Sequence, residues 1–169
     1  MDKMLGSEPS DWRFDSSWTH KAKMRNKNQI LIGAGVIYKE ARGGRRYLLV
    51  RKESEDKWEF PKIVVRRGES SVRAVIRMLG EAAGIGAKVL EEVSRVNSIV
   101  IVNGKPMPQR LYYYLLIQKA AGEIIGFDKF EWLDKNKAGS KLFLKREKDV
   151  LKESEKMIKA WEREEKKKK

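Results

Sequence analysis

The chain has no cysteine and a single histidine in 169 residues. Disulfides, thiolate nucleophiles and thiolate zinc sites are thereby excluded together. His20 alone cannot build a histidine metal cluster, and in its polar N-terminal stretch it reads as an ordinary solvated side chain. A metal ion here must be held by oxygen, which points to magnesium or manganese and to phosphate chemistry. Long hydrophobic runs are missing as well. Apolar stretches such as Asn97 to Val102 and Leu111 to Ile117 fall far short of the roughly 20 residues that cross a bilayer. The N-terminus mixes Asp2, Lys3, Glu8 and Asp11 with isolated apolar residues and builds no apolar core of a secretory signal. A cytoplasmic protein with no membrane partner is expected.

What the chain has in excess is positive charge: 38 Lys and Arg against 24 Asp and Glu, a formal +14. A basic small domain attracts polyanions through phosphate neutralisation and counterion release, so nucleic acid is the partner this balance suggests. An ion-pair-laced surface of the kind found in heat-adapted proteins explains the abundance of charge, but not its sign. Hydrophobic residues make up 41% of the chain, enough for one core.

Residues 1–28 read as a basic, aromatic extension, because Gly6, Pro9, Ser10, Ser16 and Ser17 interrupt any periodicity. Trp12, Phe14 and Trp18, followed by Lys21, Lys23, Arg25 and Lys27, are suited to dock on the chain's own core, on a protein partner or on bases. A domain over 29–162 follows, then a basic tail over 163–169 ending in Lys166, Lys167, Lys168 and Lys169. The tail is expected to be disordered or held by a polyanion.

Within the domain, residues 29–38 read as a strand buried on both faces. The glycine pair at 43–44 turns the chain into a second strand at 47–51. Further strands at 92–102 and 110–118 are joined by a loop holding Asn103-Gly104 and two prolines. Val72, Val75, Ile76, Leu79 and Ala83 recur on one helical face over 70–83, and Gly84 is placed to stop that helix. A second helix, about 145–165, carries the stripe Val150, Leu151, Ser154, Met157, Ile158 and Trp161. This order predicts an α/β (α+β) fold with a mixed sheet between helices.

The segment from Trp58-Glu-Phe-Pro-Lys62 through Gly68-Glu69, Arg77, Leu79, Glu81, Gly84 and Ile85 resembles the Nudix box. In that family a glycine, a glutamate and an Arg-Glu-aliphatic-x-Glu-Glu-x-Gly-aliphatic run form a loop–helix–loop that holds magnesium against a diphosphate. Preceding strands at 33–38 and 47–51 and the later Phe130-Glu-Trp132 extend the likeness over roughly residues 29–162. The resemblance implies a Nudix-type α/β/α sandwich.

Three of nine defining positions depart: Ile63 replaces the opening glycine, Met78 the glutamate after the arginine, and Ala82 the second paired glutamate. Positions 78, 81 and 82 neighbour one another on a helix, so the family's three carboxylates become Met, Glu and Ala. Magnesium wants several oxygen ligands, and a thioether is too soft to supply one. No catalytic residue, metal or cofactor is therefore expected, with Glu69, Arg77, Glu81 and Gly84 as vestiges of the box. Glu81 is expected to pair with Arg77, and Glu81 and Glu69 are the ligands for any metal that does bind.

The leading expectation is a non-catalytic module that binds RNA or a ribosomal particle through Arg42, Arg45, Arg46, Lys62, Arg66, Arg67, Arg73 and the lysine tail. Solvated surface side chains are the plainer reading of these cations. The alternative is a residual hydrolase of nucleoside diphosphate derivatives or capped RNA that uses magnesium or manganese, with Glu69, Glu81 and an acid such as Glu91, Glu92 or Glu123. A third reading is a protein-interaction scaffold acting through the aromatic arm.

Overall fold

Near-continuous apolar character along the first strand means that both its faces must be covered, which sets it at the centre of a sheet. In the computed structural model, which describes residues 29–168, β1 (Ile30–Ala41) is indeed central. It pairs antiparallel with β2 (Gly44–Arg51) through Tyr38↔Tyr47 and parallel with β5 (Lys105–Ala120) through Val36↔Leu115. β4 (Gly86–Val102) and β6 (Lys129–Leu133) complete the order β4-β5-β1-β2-β6, and the short β3 (Lys62–Val64) pairs with β1. The aromatic segment Trp12, Phe14 and Trp18, with Lys169, lies outside the described residues.

Two apolar clusters cover the two faces of the sheet. α1 (Ser71–Ala83) buries Val75, Met78 and Leu79 against Ile37, Leu48, Tyr112, Tyr114 and Leu116. α2 (Lys135–Lys141) and α3 (Lys145–Lys167) bury Ala138, Val150, Leu151 and Ile158 against Val36, Tyr38, Tyr113 and Leu115. Successive residues of β5 thus serve opposite layers, as the two-residue period of a strand requires. Each large side chain so buried is worth about 1.5–3 kcal/mol. The expected mixed sheet between helices is what forms.

Several local expectations change. Ile76, assigned to the apolar face of α1, is 47% exposed, while Met78 is 3% exposed. The 103–104 pair is a tight turn, with Asn103 and Gly104 both at positive φ, and the strands run into it without a wider loop. Pro106 and Pro108 belong to β5, in the part that reaches past Gln109, the partner of Ile30 at the start of β1. A missing N–H is tolerated where no strand lies on that side. α3 continues through Lys167, so Lys166 and Lys167 are its last turn. β3, β6 as a paired strand, and α2 were not anticipated.

Candidate functional site

The box is held together mechanically. Ser70 caps α1 by accepting from the Arg73 N–H, and Gly84 ends it at φ 57°, a left-handed conformation that glycine adopts freely. Gly33 lets the helix approach the sheet, because a Cβ there would meet the Ser71 carbonyl oxygen and the Val75 side chain, each at 2.8 Å. Between β3 and α1, the Glu69 carboxylate accepts the Arg66 N–H at 3.0 Å, Arg77 Nε at 2.8 Å and Arg77 Nη2 at 3.1 Å. The Arg77 fork and the Arg66 amide hold the Glu69 carboxyl down to about 2. Arg77 therefore takes Glu69 as its partner. The expected Arg77–Glu81 ion pair does not form, and Glu81 stands exposed without a described partner in an ion pair.

Positions 78 and 82 are both covered. Met78 is core. Ala82 lies under the connection from β5 to β6, where the Ile125 and Gly126 N–H groups both donate to its carbonyl oxygen, at 3.1 and 2.7 Å. A Cβ on Gly126 would fall 2.5 Å from that of Ala82. Glu123, one of the acids expected outside the box, is on this same connection, with its backbone near Gly84. Glu91 and Glu92 are on β4, where Glu92 is bound by Arg95. Among the described residues no three acidic or histidine side chains converge on one point. The residues present do not fit a resident cluster of several cations.

The expected phosphate-binding cations are not gathered into one site. Arg45 reaches Glu162 at 2.8 Å and Glu155 and Glu40 at 3.4 Å each, beside the Tyr47–Glu155 hydrogen bond. Lys62 points to the α3 side of the sheet and meets Glu147 at 2.5 Å and Glu59 at 2.7 Å. Arg42 is exposed at the β1–β2 turn, with Arg46 partly buried beside it. Arg66, Arg67 and Arg73 are exposed around the start of α1, and Lys166, Lys167 and Lys168 line the end of α3.

Two features were missed in the sequence. Glu147 is fully buried and accepts from the Phe60 N–H at 3.1 Å and the Tyr113 hydroxyl at 2.7 Å, besides its contact with Lys62. It ties α3 to the strand that leads into the box. Burial, with the Glu147 carboxylate beside it, pushes the Tyr113 hydroxyl far above the ordinary tyrosine range. Next to this knot, a groove of about 360 Å³ opens between β4 and α3, lined by Val93, Ser94, Val96, Arg146, Asp149, Val150 and Glu153. Arg146 Nε is buried there without a hydrogen-bond partner. The spacing of 146, 149, 150 and 153 on one helix face was the available signal, masked by reading only the apolar stripe. Three of its seven lining residues are charged, so it is a shallow mixed surface.

Comparison with known proteins gives this geometry its context. The NUDIX domain model matches residues 30–155. A C. elegans Ap4A hydrolase in a binary complex superposes with a TM-score of 0.65 at 20% identity, covering 78% of this chain and 98% of its own. The E. coli dihydroneopterin triphosphate pyrophosphohydrolase gives 0.57 at 14% identity, covering 72% and 91%. A mutator MutT protein from Bacillus halodurans gives 0.56 at 20%, covering 73% and 80%. At these identities the likeness is one of fold. No curated protein matches. These findings overturn the expected non-catalytic RNA- or ribonucleoprotein-binding module: the similarities run to hydrolases of phosphorylated compounds, and nothing in them supports RNA binding or a non-catalytic role. The expectation failed because Met78, Ala82 and a surplus of positive charge do not by themselves specify a function.

Proposed function

The chain belongs to the Nudix family, and from that premise we propose that it hydrolyses a phosphoanhydride bond in a nucleoside diphosphate derivative. The observation that carries this reading is the intact box framework. The Glu69–Arg77 fork still pins the loop to α1, and Glu81 is left as the exposed carboxylate of the helix. That fork keeps the loop and the start of α1 in one fixed arrangement, the geometry on which the reading rests. The groove on the α3 layer lies across the sheet from Glu81; Val93, Val96 and Val150 line it with Asp149 and Glu153, the Arg146 Nε is unpartnered there, and it is a surface for a part of the substrate that does not react.

Magnesium or manganese is the family's cofactor, and the described carboxylates do not fit a resident cluster of such ions. What the chain's own residues contribute is placement. Glu69 and Arg77 fix the loop, Glu81 presents negative charge toward solvent, and exposed Arg66, Arg67 and Arg73 attract an anionic substrate. The test is turnover of a panel that includes nucleoside triphosphates, Ap4A and nucleoside diphosphate sugars, with magnesium present. Phosphate or nucleotide release that disappears in Glu81→Gln is the expected result. Release no faster than that of Glu81→Gln across the panel overturns the proposal.

A further inference from the structure

α3 separates its charges by face. Lys145, Lys148, Lys152, Lys156, Lys159 and Arg163 recur at steps of three and four, the spacing that sets side chains in one row along a helix. The row lies opposite the buried stripe of Val150, Leu151, Ser154 and Ile158, and five of its six residues are exposed, with Lys148 half-buried. At about 1.5 Å per residue it runs for about 27 Å, and Lys166 and Lys167 extend it.

The carboxylates of the helix are placed elsewhere. Glu147 is buried against Lys62, and Glu155 and Glu162 reach inward to Arg45. Asp149 and Glu153 line the groove against β4. Glu164 and Glu165 meet Lys167 and Lys168 at the end of the helix. Among the described residues, Lys156, 4.0 Å from Glu153, is the one member of the row in an ion pair.

The chemistry of the row selects its partner. It holds no aromatic or large apolar side chain, whereas protein interfaces are built around such anchors and are poor in lysine. Five of its six cations are lysine, a point charge on a flexible stem that needs no fixed hydrogen-bond geometry. It offers no aromatic platform to unpaired bases. A straight row meets a plane along its whole length, but meets the winding backbones of a duplex only where they cross it.

We propose that the outer face of α3 docks on a lipid bilayer carrying anionic headgroups, by charge and without insertion. No helix of the described residues is long and apolar enough to cross a membrane, and this contact is made from one side. Each cation near an anionic surface adds to the attraction, and salt screens it. α1 with Glu81 belongs to the opposite layer of the sheet, so docking leaves it facing away from the bilayer.

The experiment is sedimentation of the full chain with vesicles, of phosphatidylcholine alone or of phosphatidylcholine and phosphatidylserine in equal parts. The chain is expected to sediment with the mixed vesicles only, and to be released as salt rises. A row variant, Lys152→Gln, Lys156→Gln, Lys159→Gln and Arg163→Gln, should bind at least about 100-fold more weakly. The milder pair Lys152→Gln with Lys159→Gln should lose about 10-fold or more, and glutamine is a good helix former at each position. A control variant, Arg66→Gln, Arg67→Gln, Arg73→Gln and Lys119→Gln, loses as many exposed cations away from α3 and should bind within a few-fold of the parent. No binding to the mixed vesicles overturns the proposal. So do equal losses in the row and control variants, which assign the binding to net charge, and capture of polyglutamate or single-stranded RNA while the vesicles stay unbound.

Discussion

Arg77 meets Glu69 with both arms of its guanidinium fork, Nε at 2.8 Å and Nη2 at 3.1 Å, from eight residues further along the chain. The pair closes the box loop onto α1, and it depresses the Glu69 carboxyl from its ordinary 4.5 to about 2. A carboxylate lowered by folding contributes stability that is fully present above its unfolded value and is lost as pH falls through the folded one. The loop should therefore hold firm above pH 4.5 and loosen as pH falls toward 2. In Arg77→Met, the Glu69 midpoint should rise toward the ordinary range, as measured by nuclear magnetic resonance titration of its side-chain carboxyl carbon. A midpoint that stays near 2 would mean that the Arg66 N–H alone suffices.

Glu147 is the second pivot. Replacing it with alanine leaves the Phe60 N–H, the Tyr113 hydroxyl and the Lys62 ammonium without their shared acceptor in a buried place. Breaking one side of a buried pair typically costs about 3–5 kcal/mol. Denaturant unfolding of Glu147→Ala should show a loss in that range. A double variant, Glu147→Leu with Lys62→Met, should recover only the part that comes from the Lys62 charge, since the Phe60 N–H and the Tyr113 hydroxyl still lack an acceptor. Equal losses in the single and double variants would show that the knot contributes through the Phe60 and Tyr113 hydrogen bonds and not through the Lys62 charge.

The sequence made the frame legible because its strongest signals are periodic. The apolar runs of β1 and β5 and the Ser70 and Gly84 ends of α1 are local patterns, and each reappears in the fold. The site was less legible because its decisive contacts join residues far apart in the chain. Nothing near residue 147 announces that its carboxylate will close on Phe60 and Lys62, and nothing near Ala82 announces the Gly126 backbone above it. The helical rule that four-residue neighbours pair favoured Glu81 for Arg77. The loop instead brought Glu69 into range, where it offers two oxygens to the fork and accepts an amide as well. Arg45 and Lys62 looked like free cations for the same reason: besides the nearby Glu40 and Glu59, they are bound by Glu155, Glu162 and Glu147, which come from the distant α3.

Gly126 should tolerate no side chain. Its added Cβ would lie 2.5 Å from the Ala82 Cβ and 2.6 Å from the Ala82 Cα, and backbone on both sides leaves little to yield. Overpacking of this kind costs about 1–3 kcal/mol. Gly126→Ala should lower the unfolding free energy by that amount and speed amide hydrogen exchange at Ile125 and Gly126, whose N–H groups hold the connection to α1. Unchanged exchange at both amides would place the adjustment elsewhere.

In the proposed hydrolase, the Arg146 groove should govern affinity more than the chemical step. Arg146 stands on α3, whereas α1 and its Glu81 belong to the opposite layer of the sheet. A substrate laid on Val93, Val96 and Val150 would take a charge-assisted hydrogen bond from Arg146 with a part of the molecule that does not react. Such a bond is worth about 1.5–3 kcal/mol, so Arg146→Leu should raise KM about tenfold or more and leave kcat nearly unchanged, the pattern of uniform binding. Steady-state kinetics on the best substrate of the panel makes the measurement, with the thermal midpoint of the variant checked against the parent. A fall in kcat with KM unmoved would remove the groove from substrate binding and return Arg146 to a purely structural place beside Tyr113.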